Sequence, residues 1–266
     1  MEQDIVSAGY DAVYRGVFKS PTLRRLWHEL AEGADFPEEF GHISFTTLPE
    51  LRRVATELRL RPGDTLVDLG CGMAGPALWV ARETQAQLTG VDLSLVATEQ
   101  ASARAAALGL AGHARFVVGS FADTGLEAGS AAGVMSEDAL QYAPDKQAAM
   151  AEAARILRPG GRFVFTAYEL DAERAAGLPV LSVDPVGDYR PALVAAGFSV
   201  DVYEEVPGWP EPMTTTYSAV LDAKEALTEE MGEAAVGALS LEMTMTLGAK
   251  PYRRRVLVAA TKPADG

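Results

Sequence analysis

The chain has 266 residues, of which 48% are hydrophobic and 23% charged, and its formal net charge is −14 at pH 7. That composition belongs to a folded chain with a substantial core and excludes a mostly disordered one. The acidic balance repels phosphate backbones, so nucleic acid is not expected as a partner, and a neutral or cationic small molecule suits the field better.

The start, Met1-Glu2-Gln3-Asp4, is acidic where a secretory signal is basic and then apolar, and no apolar run reaches membrane-spanning length, so a cytoplasmic protein without membrane contact is expected. From Asp4 to about Leu60 the pattern is helical, with Leu48, Leu51, Val54, Ala55 and Leu58 recurring at spacings of three and four and Pro49 in a first turn. An aromatic loop, Phe36 to Phe45, interrupts it and is placed to fold over a neighbouring cleft. After the turn signal Arg61-Pro62-Gly63-Asp64, short apolar strands alternate with alanine-rich helices. Strands are predicted at 65–69, 88–92, 115–118, 132–136, 162–167, 198–206 and 253–261, and helices near 75–83, 94–109, 145–157 and 188–196. This alternation predicts an α/β fold with a mostly parallel sheet covered by helices on both faces. A helical stretch near 213–247, with Met213, Tyr217, Val220, Leu221, Leu227 and Met231 on one face, separates the last two strands and reads as an insertion covering the site. No repeat or linker appears, so one domain over 1–266 is expected: a helical cap at 1–60, a cofactor-binding core at 61–170, and the rest of the core with its helical insertion at 171–266.

The strongest local signal is the strand Leu66-Val67-Asp68-Leu69 running into Gly70-Cys71-Gly72-Met73-Ala74-Gly75 and then into a helix with Pro76 in its first turn. Glycines allow the sharp turn and a close ligand approach at the carboxyl end of the first strand. Gly70, Gly72 and Gly75 also fit a dinucleotide fingerprint, so the glycines leave two cofactors open. Asp68 separates them: a carboxylate two residues before the first glycine repels a pyrophosphate and attracts the ammonium and sulfonium of S-adenosylmethionine. Asp92, ending the second strand beside Leu93 and Ser94, is placed to accept hydrogen bonds from ribose hydroxyls, or else to cap the following helix, a role open to Ser94 as well. Ser120 and Phe121, after the third strand, are candidates for the adenine edge and face, with a plain loop aromatic the other reading of Phe121. The fourth strand ends in the polar cluster Ser136-Glu137-Asp138-Ala139-Leu140-Gln141-Tyr142, where a transferred methyl group would point.

Four motifs in order, Val67 to Gly75, Gly90 to Ser94, Gly119 to Phe121 and Arg155 to Arg162, resemble those of the class I S-adenosylmethionine-dependent methyltransferases, most of all the small-molecule enzymes acting on sarcosine or dimethylglycine, quinones and natural-product sugars. The resemblance covers about 61–170 closely. It implies a Rossmann-like seven-stranded sheet whose last strand is antiparallel, with an N-terminal helical cap and a helical lid. It also implies S-adenosylmethionine as cofactor, with Asp68, Gly70, Cys71 and Gly72 near its methionine part, Asp92 and Leu93 at the ribose, Ser120 and Phe121 at the adenine, and Glu137 nearby. Where several relatives with hydroxyl acceptors carry a His-His pair, this chain has Gln141-Tyr142.

The expected activity is methyl transfer to an oxygen, nitrogen or carbon of a small molecule by in-line displacement, in a monomer or homodimer. His42, Glu137 and Asp138 are the candidate proton acceptors for a hydroxyl, although a lone histidine in an aromatic loop also reads as structural. Tyr10, Tyr14, Gln141 and Tyr142 are candidate acceptor-binding residues, with core packing the other reading of the two helical tyrosines. Cys71 contributes its backbone rather than its thiol, no Cys/His cluster has zinc-ligand spacing, and no metal is expected. The alternatives are a nicotinamide-dependent oxidoreductase, for which no hydride-transfer apparatus is evident, and a non-catalytic protein that binds the methyl donor.

Overall fold

A computed structural model describes residues 11–17, 19–180 and 184–264. Seven strands, β1 (Thr65–Leu69), β2 (Gln87–Asp92), β3 (Ala114–Val118), β4 (Ala131–Glu137), β5 (Leu157–Leu170), β6 (Ser199–Glu205) and β7 (Arg253–Thr261), lie in the order β3-β2-β1-β4-β5-β7-β6. β1 to β5 are mutually parallel, and β7 runs antiparallel to both β5 and β6. Strand order reverses between β1 and β4, and the crevice beyond their carboxyl ends is where such sheets take ligands.

Helices α3 (Leu48–Leu58), α4 (Gly75–Thr84) and α5 (Leu95–Ala107) bury Leu51, Val54, Leu58, Leu78 and Ala101 against one face. α6 (Lys146–Ile156) and α7 (Arg190–Ala195) bury Ala149, Met150, Ile156 and Leu193 against the other, with Phe163 and Phe165 of β5. α3 has Pro49 in its first turn, as the sequence predicts, and begins with a capping box of Thr47 with Glu50.

A third apolar cluster lies outside the sheet layers. The helical residues 11–17 (α1) and α2 (Pro21–Trp27) meet α8 (Pro210–Asp222), α9 (Lys224–Met231) and α10 (Glu233–Ala249) through Val13, Val17, Leu23, Trp27, Met213, Tyr217, Leu227 and Val236. The predicted stretch 213–247 is thus three helices rather than one, broken at Ala223 and at Gly232, whose φ of 86° a helix cannot contain. The N-terminal helical pattern is likewise interrupted, by a π turn at His28–Glu32 and a 3-10 turn at Glu38–Phe40. The fifth strand begins earlier than predicted: Leu157 already pairs with Ala131, and the Pro159-Gly160-Gly161 turn is taken up in a register shift as Gly160 N–H donates to Lys262 O at 2.8 Å.

The aromatic loop packs down instead of standing free. Phe40 is buried under the Arg82 guanidinium, 4.3 Å from its ring centre, while Phe45 packs against Trp27 and Tyr217. Its backbone rests on Gly75, where an added β-carbon would stand 2.0 Å from Phe40 O and 2.8 Å from Gly41 O. Arg104 fixes that contact by donating to Gly41 O at 2.7 Å. Gly75→Ala should therefore lower unfolding stability in urea by about 1–3 kcal/mol. Gly112→Ala, with nothing near the new carbon, should leave stability within about 0.5 kcal/mol.

Candidate active site

The loop after β1 is held against β2 by two donors, Gly70 N–H and Cys71 N–H, both bonded to Val91 O at 2.9 and 3.1 Å. Gly70 and Gly72 have φ of 73° and 51°, in the region where a side chain is strained. A β-carbon on Gly70 would fall 2.7 Å from Ala139 and 2.9 Å from the Phe121 ring, and one on Gly72 2.8 Å from the Tyr14 hydroxyl. The backbone here forms a cradle that only glycine leaves open, with Phe121 and Tyr14 as its walls.

Asp92 sits under this cradle. Its Oδ2 accepts from Gly72 N–H at 2.8 Å and its Oδ1 from Ser94 N–H at 2.9 Å. The helix cap is Ser94, whose Oγ accepts from Ala97 N–H at 3.1 Å and donates to Asp11, so Asp92 is not consumed as a cap. Leu93 lies half-buried between the two.

Asp68 is buried, and its Oδ1 has no hydrogen-bond partner. Desolvation, reinforced by the nearby charge of Asp92, pushes its carboxyl up to about 8. A buried carboxylate without a counterion beside an open glycine cradle fits the cationic methionine end of S-adenosylmethionine. The Cys71 thiol is also driven up by burial and then by Asp92 and Asp68, which leaves it inert as a nucleophile.

Glu137, at the end of β4, takes Thr166 Oγ1–H at 2.9 Å and Thr46 Oγ1–H at 3.1 Å on Oε2, while its Oε1 is buried without a partner. Burial, then the charge of Asp138, raises its carboxyl to about 8, against the opposing pull of Arg255 and Thr166. Asp138 is different. With a φ of 49°, its side chain turns back to accept Arg255 Nε–H at 2.8 Å on Oδ1 and Phe45 N–H at 3.1 Å on Oδ2. Arg255 is fully buried, pairs also with Glu50, and donates to Thr46 Oγ1 at 3.2 Å. Asp138 thus serves the packing of β7 against the cap, which is a correction to its candidacy as proton acceptor: both oxygens are engaged, and removing a proton-free partner from a buried arginine is costly.

His42 calls for the same correction. Its Nδ1 accepts Ser44 N–H at 3.1 Å, so the hydrogen of the neutral ring is on Nε2, which is buried and unpartnered. Burial lowers its pKa, and the ring meets Phe36 edge-on at 4.6 Å. In this state Nε2 can donate a proton but has no lone pair to receive one.

Gln141 is buried and donates to Asp138 O, and Tyr142 donates to Glu242 Oε1 at 2.6 Å. Ser120 closes a local turn, accepting Asp123 N–H at 3.0 Å in an exposed bend. Tyr10 lies outside the described residues. The structure therefore gathers Asp68, Gly70, Gly72, Asp92, Phe121 and Tyr14 about the loop after β1, with Glu137 at the end of β4 close enough to feel the charge of Asp68. Sequence reasoning missed Thr46, Thr166, Glu50 and Arg255. Only Arg255 left a trace, as a charged residue leading into an apolar strand.

Residues 67–165 match the family described as Methyltransferase domain. The chain is 27% identical to 27-O-demethylrifamycin SV methyltransferase of Amycolatopsis mediterranei (strain S699) over 269 residues, covering 97% of each chain. Among solved structures it is similar to the [4+2]-cyclase SpnF, with a TM-score of 0.75, 21% identity and coverage of 96% of this chain and 95% of that one. It is also similar to geranyl diphosphate methyltransferase in complex with SAM, with a TM-score of 0.60, 24% identity, and coverage of 80% and 84%. This methyltransferase domain spans the glycine cradle and the strand that carries Glu137, so the nicotinamide reading falls away and residues 67–165 are those of an S-adenosylmethionine-dependent methyltransferase enzyme.

Proposed function

We propose that the protein methylates a hydroxyl oxygen of a small, largely apolar acceptor, with Glu137 receiving the proton. The observation that carries this is Glu137 Oε1, a buried and unpartnered oxygen beside the reversal of strand order, on a carboxyl raised to about 8. A pKa near the working pH is what a general base requires. The likeness over nearly the whole chain to an enzyme named for O-methylation supports oxygen as the attacking atom, and a role in cytoplasmic natural-product biosynthesis goes with it. We read residues 1–266 as one catalytic unit, with 1–60 and the helices near 213–247 closing over the acceptor.

When bound, the donor supplies a methyl group activated by positive sulfur. Asp68 faces the methionine ammonium, the backbone of Gly70, Cys71 and Gly72 lines its path, Asp92 and Leu93 take the ribose, and Phe121 with Ser120 takes the adenine. Tyr14 seals the cradle from the cap side. The bound donor would supply its methyl group to the acceptor oxygen in line with the departing sulfur, which would keep the electron pair of the carbon–sulfur bond, and Glu137 Oε1 would receive the hydroxyl proton. Thr46 and Thr166 fix the other oxygen so that Oε1 faces the crevice. Alignment supplies much of the acceleration.

Glu137→Gln should lower kcat for 27-O-demethylrifamycin SV as probe acceptor by roughly 10²- to 10⁴-fold and abolish the rise of kcat with pH near 8. An unchanged kcat and pH profile would overturn the assignment. A second test concerns Asp68, whose folded carboxyl titrates near 8 against about 4 unfolded, so that the donor-free protein loses stability as pH rises between those values. Asp68→Asn should stabilise the donor-free protein at pH 7.5 by about 1–3 kcal/mol in urea unfolding, do little at low pH, and weaken donor binding by at least about tenfold. A destabilised Asp68→Asn protein would contradict the role.

A further inference from the structure

Three consecutive arginines open β7, and the structure uses them differently. Arg255 is locked to Asp138 and Glu50, and Arg254 on the opposite face holds Glu169, with its Nε 2.7 Å from Oε2. Arg253, two residues from Arg255 and on its face, makes no hydrogen bond or ion pair among the described residues, and its Nε is buried. Glu242 of the insertion feels the charge of Arg253 but makes no ion pair with it, and its Oε1 accepts from the Tyr142 hydroxyl. Beside Arg253 lies Tyr168, its ring centre 5.8 Å from the guanidinium carbon. The Tyr168 hydroxyl is buried and unpartnered, and burial holds it in its protonated, donating form.

Both groups line one cleft with Gln141 and Tyr142. Tyr168 follows Thr166, the residue that holds Glu137, by two positions on β5, which puts it about 7 Å along the same face. Trp209 of the insertion closes over it edge-on at 5.1 Å. The Arg253 Nε, on a half-buried side chain, and the buried Tyr168 hydroxyl are left without partners, which is costly unless a ligand satisfies them. The guanidinium can only give hydrogen bonds and the protonated Tyr168 hydroxyl has one to give, so a ligand that serves both is an acceptor, and a planar oxyanion satisfies a guanidinium best.

We infer that Arg253 and Tyr168 are the anion-reading corner of the acceptor site, and that the acceptor carries a carboxylate or comparably acidic oxygen at the end remote from the oxygen that is methylated. This rests on the reading that the acceptor lies between Glu137 and the helical insertion. It qualifies the bias set by the net charge of −14, which repels anions in general, because the cleft's own carboxylate, Glu169, is paired with Arg254 and leaves Arg253 without an ion pair among the described residues.

The test is calorimetric titration of 1-naphthoate and of neutral 1-naphthamide into the protein saturated with S-adenosylhomocysteine. Naphthoate should bind roughly tenfold or more tightly than the amide. Arg253→Met should erase that preference, Arg253→Lys restore part of it, and Tyr168→Phe reduce it, with S-adenosylhomocysteine binding reporting that each variant is folded. Equal binding of the two probes, absence of naphthoate binding at millimolar concentration, or a preference that survives Arg253→Met would overturn the inference. A preference lost in Arg253→Met but kept in Glu137→Gln, with unchanged turnover in the latter, would leave this corner standing and remove only the proton-acceptor role.

Discussion

Two buried carboxyl groups that make no ion pair among the described residues, Asp68 and Glu137, are the constraint around which the site is arranged. Each stands at the carboxyl end of a central strand, β1 or β4, and each has an oxygen with no partner. Burial of a charge in this way opposes folding, and both groups respond by holding their protons to about 8. Both unpartnered oxygens stand near the point where strand order reverses. A cation arriving there removes a penalty as well as making a contact, which gives the site a preference for a positively charged donor over a diphosphate.

The surrounding framework keeps the two acids apart in role. Asp68 is surrounded by glycine backbone and by Asp92, a setting that offers negative potential and open space. Glu137 is held by two threonine hydroxyls, and one of these, Thr46, is itself positioned by Arg255. The buried Arg255–Asp138–Glu50 group joins β7, the β4 loop and the cap helix α3 at one point, so the strand, loop and cap that frame Glu137 are set together. The cap and the insertion meet in one apolar cluster through Trp27, Phe45, Met213 and Tyr217.

Much of this was legible in the sequence because it is local. Asp68, Gly70 and Gly72 fall within five residues, and Asp92 follows at the end of the next strand, so strand, turn and helix signals locate them without knowledge of the tertiary fold. Ser94 as cap could be named but not chosen over Asp92 until its bond to Ala97 was seen. The settings of Asp138 and His42 were not legible because distant or backbone partners decide them: Arg255 lies 117 residues from Asp138, and the tautomer of His42 depends on a backbone N–H. Thr46 and Thr166 carry no motif at all, since a hydroxyl 91 residues from Glu137 leaves no periodic or compositional mark. The breaks at Ala223 and Gly232 were hidden by a helix pattern that remains apolar on one side across both.

The central claim, that protonated acids are cleared to receive a cation, is tested most directly by titrating S-adenosylhomocysteine into the protein at pH 6.5 in buffers of different ionisation enthalpy. Asp68 and Glu137 are largely protonated at that pH, so binding of the ligand ammonium should release a substantial fraction of a proton to the buffer. Proton uptake, or heats independent of the buffer, would contradict the account.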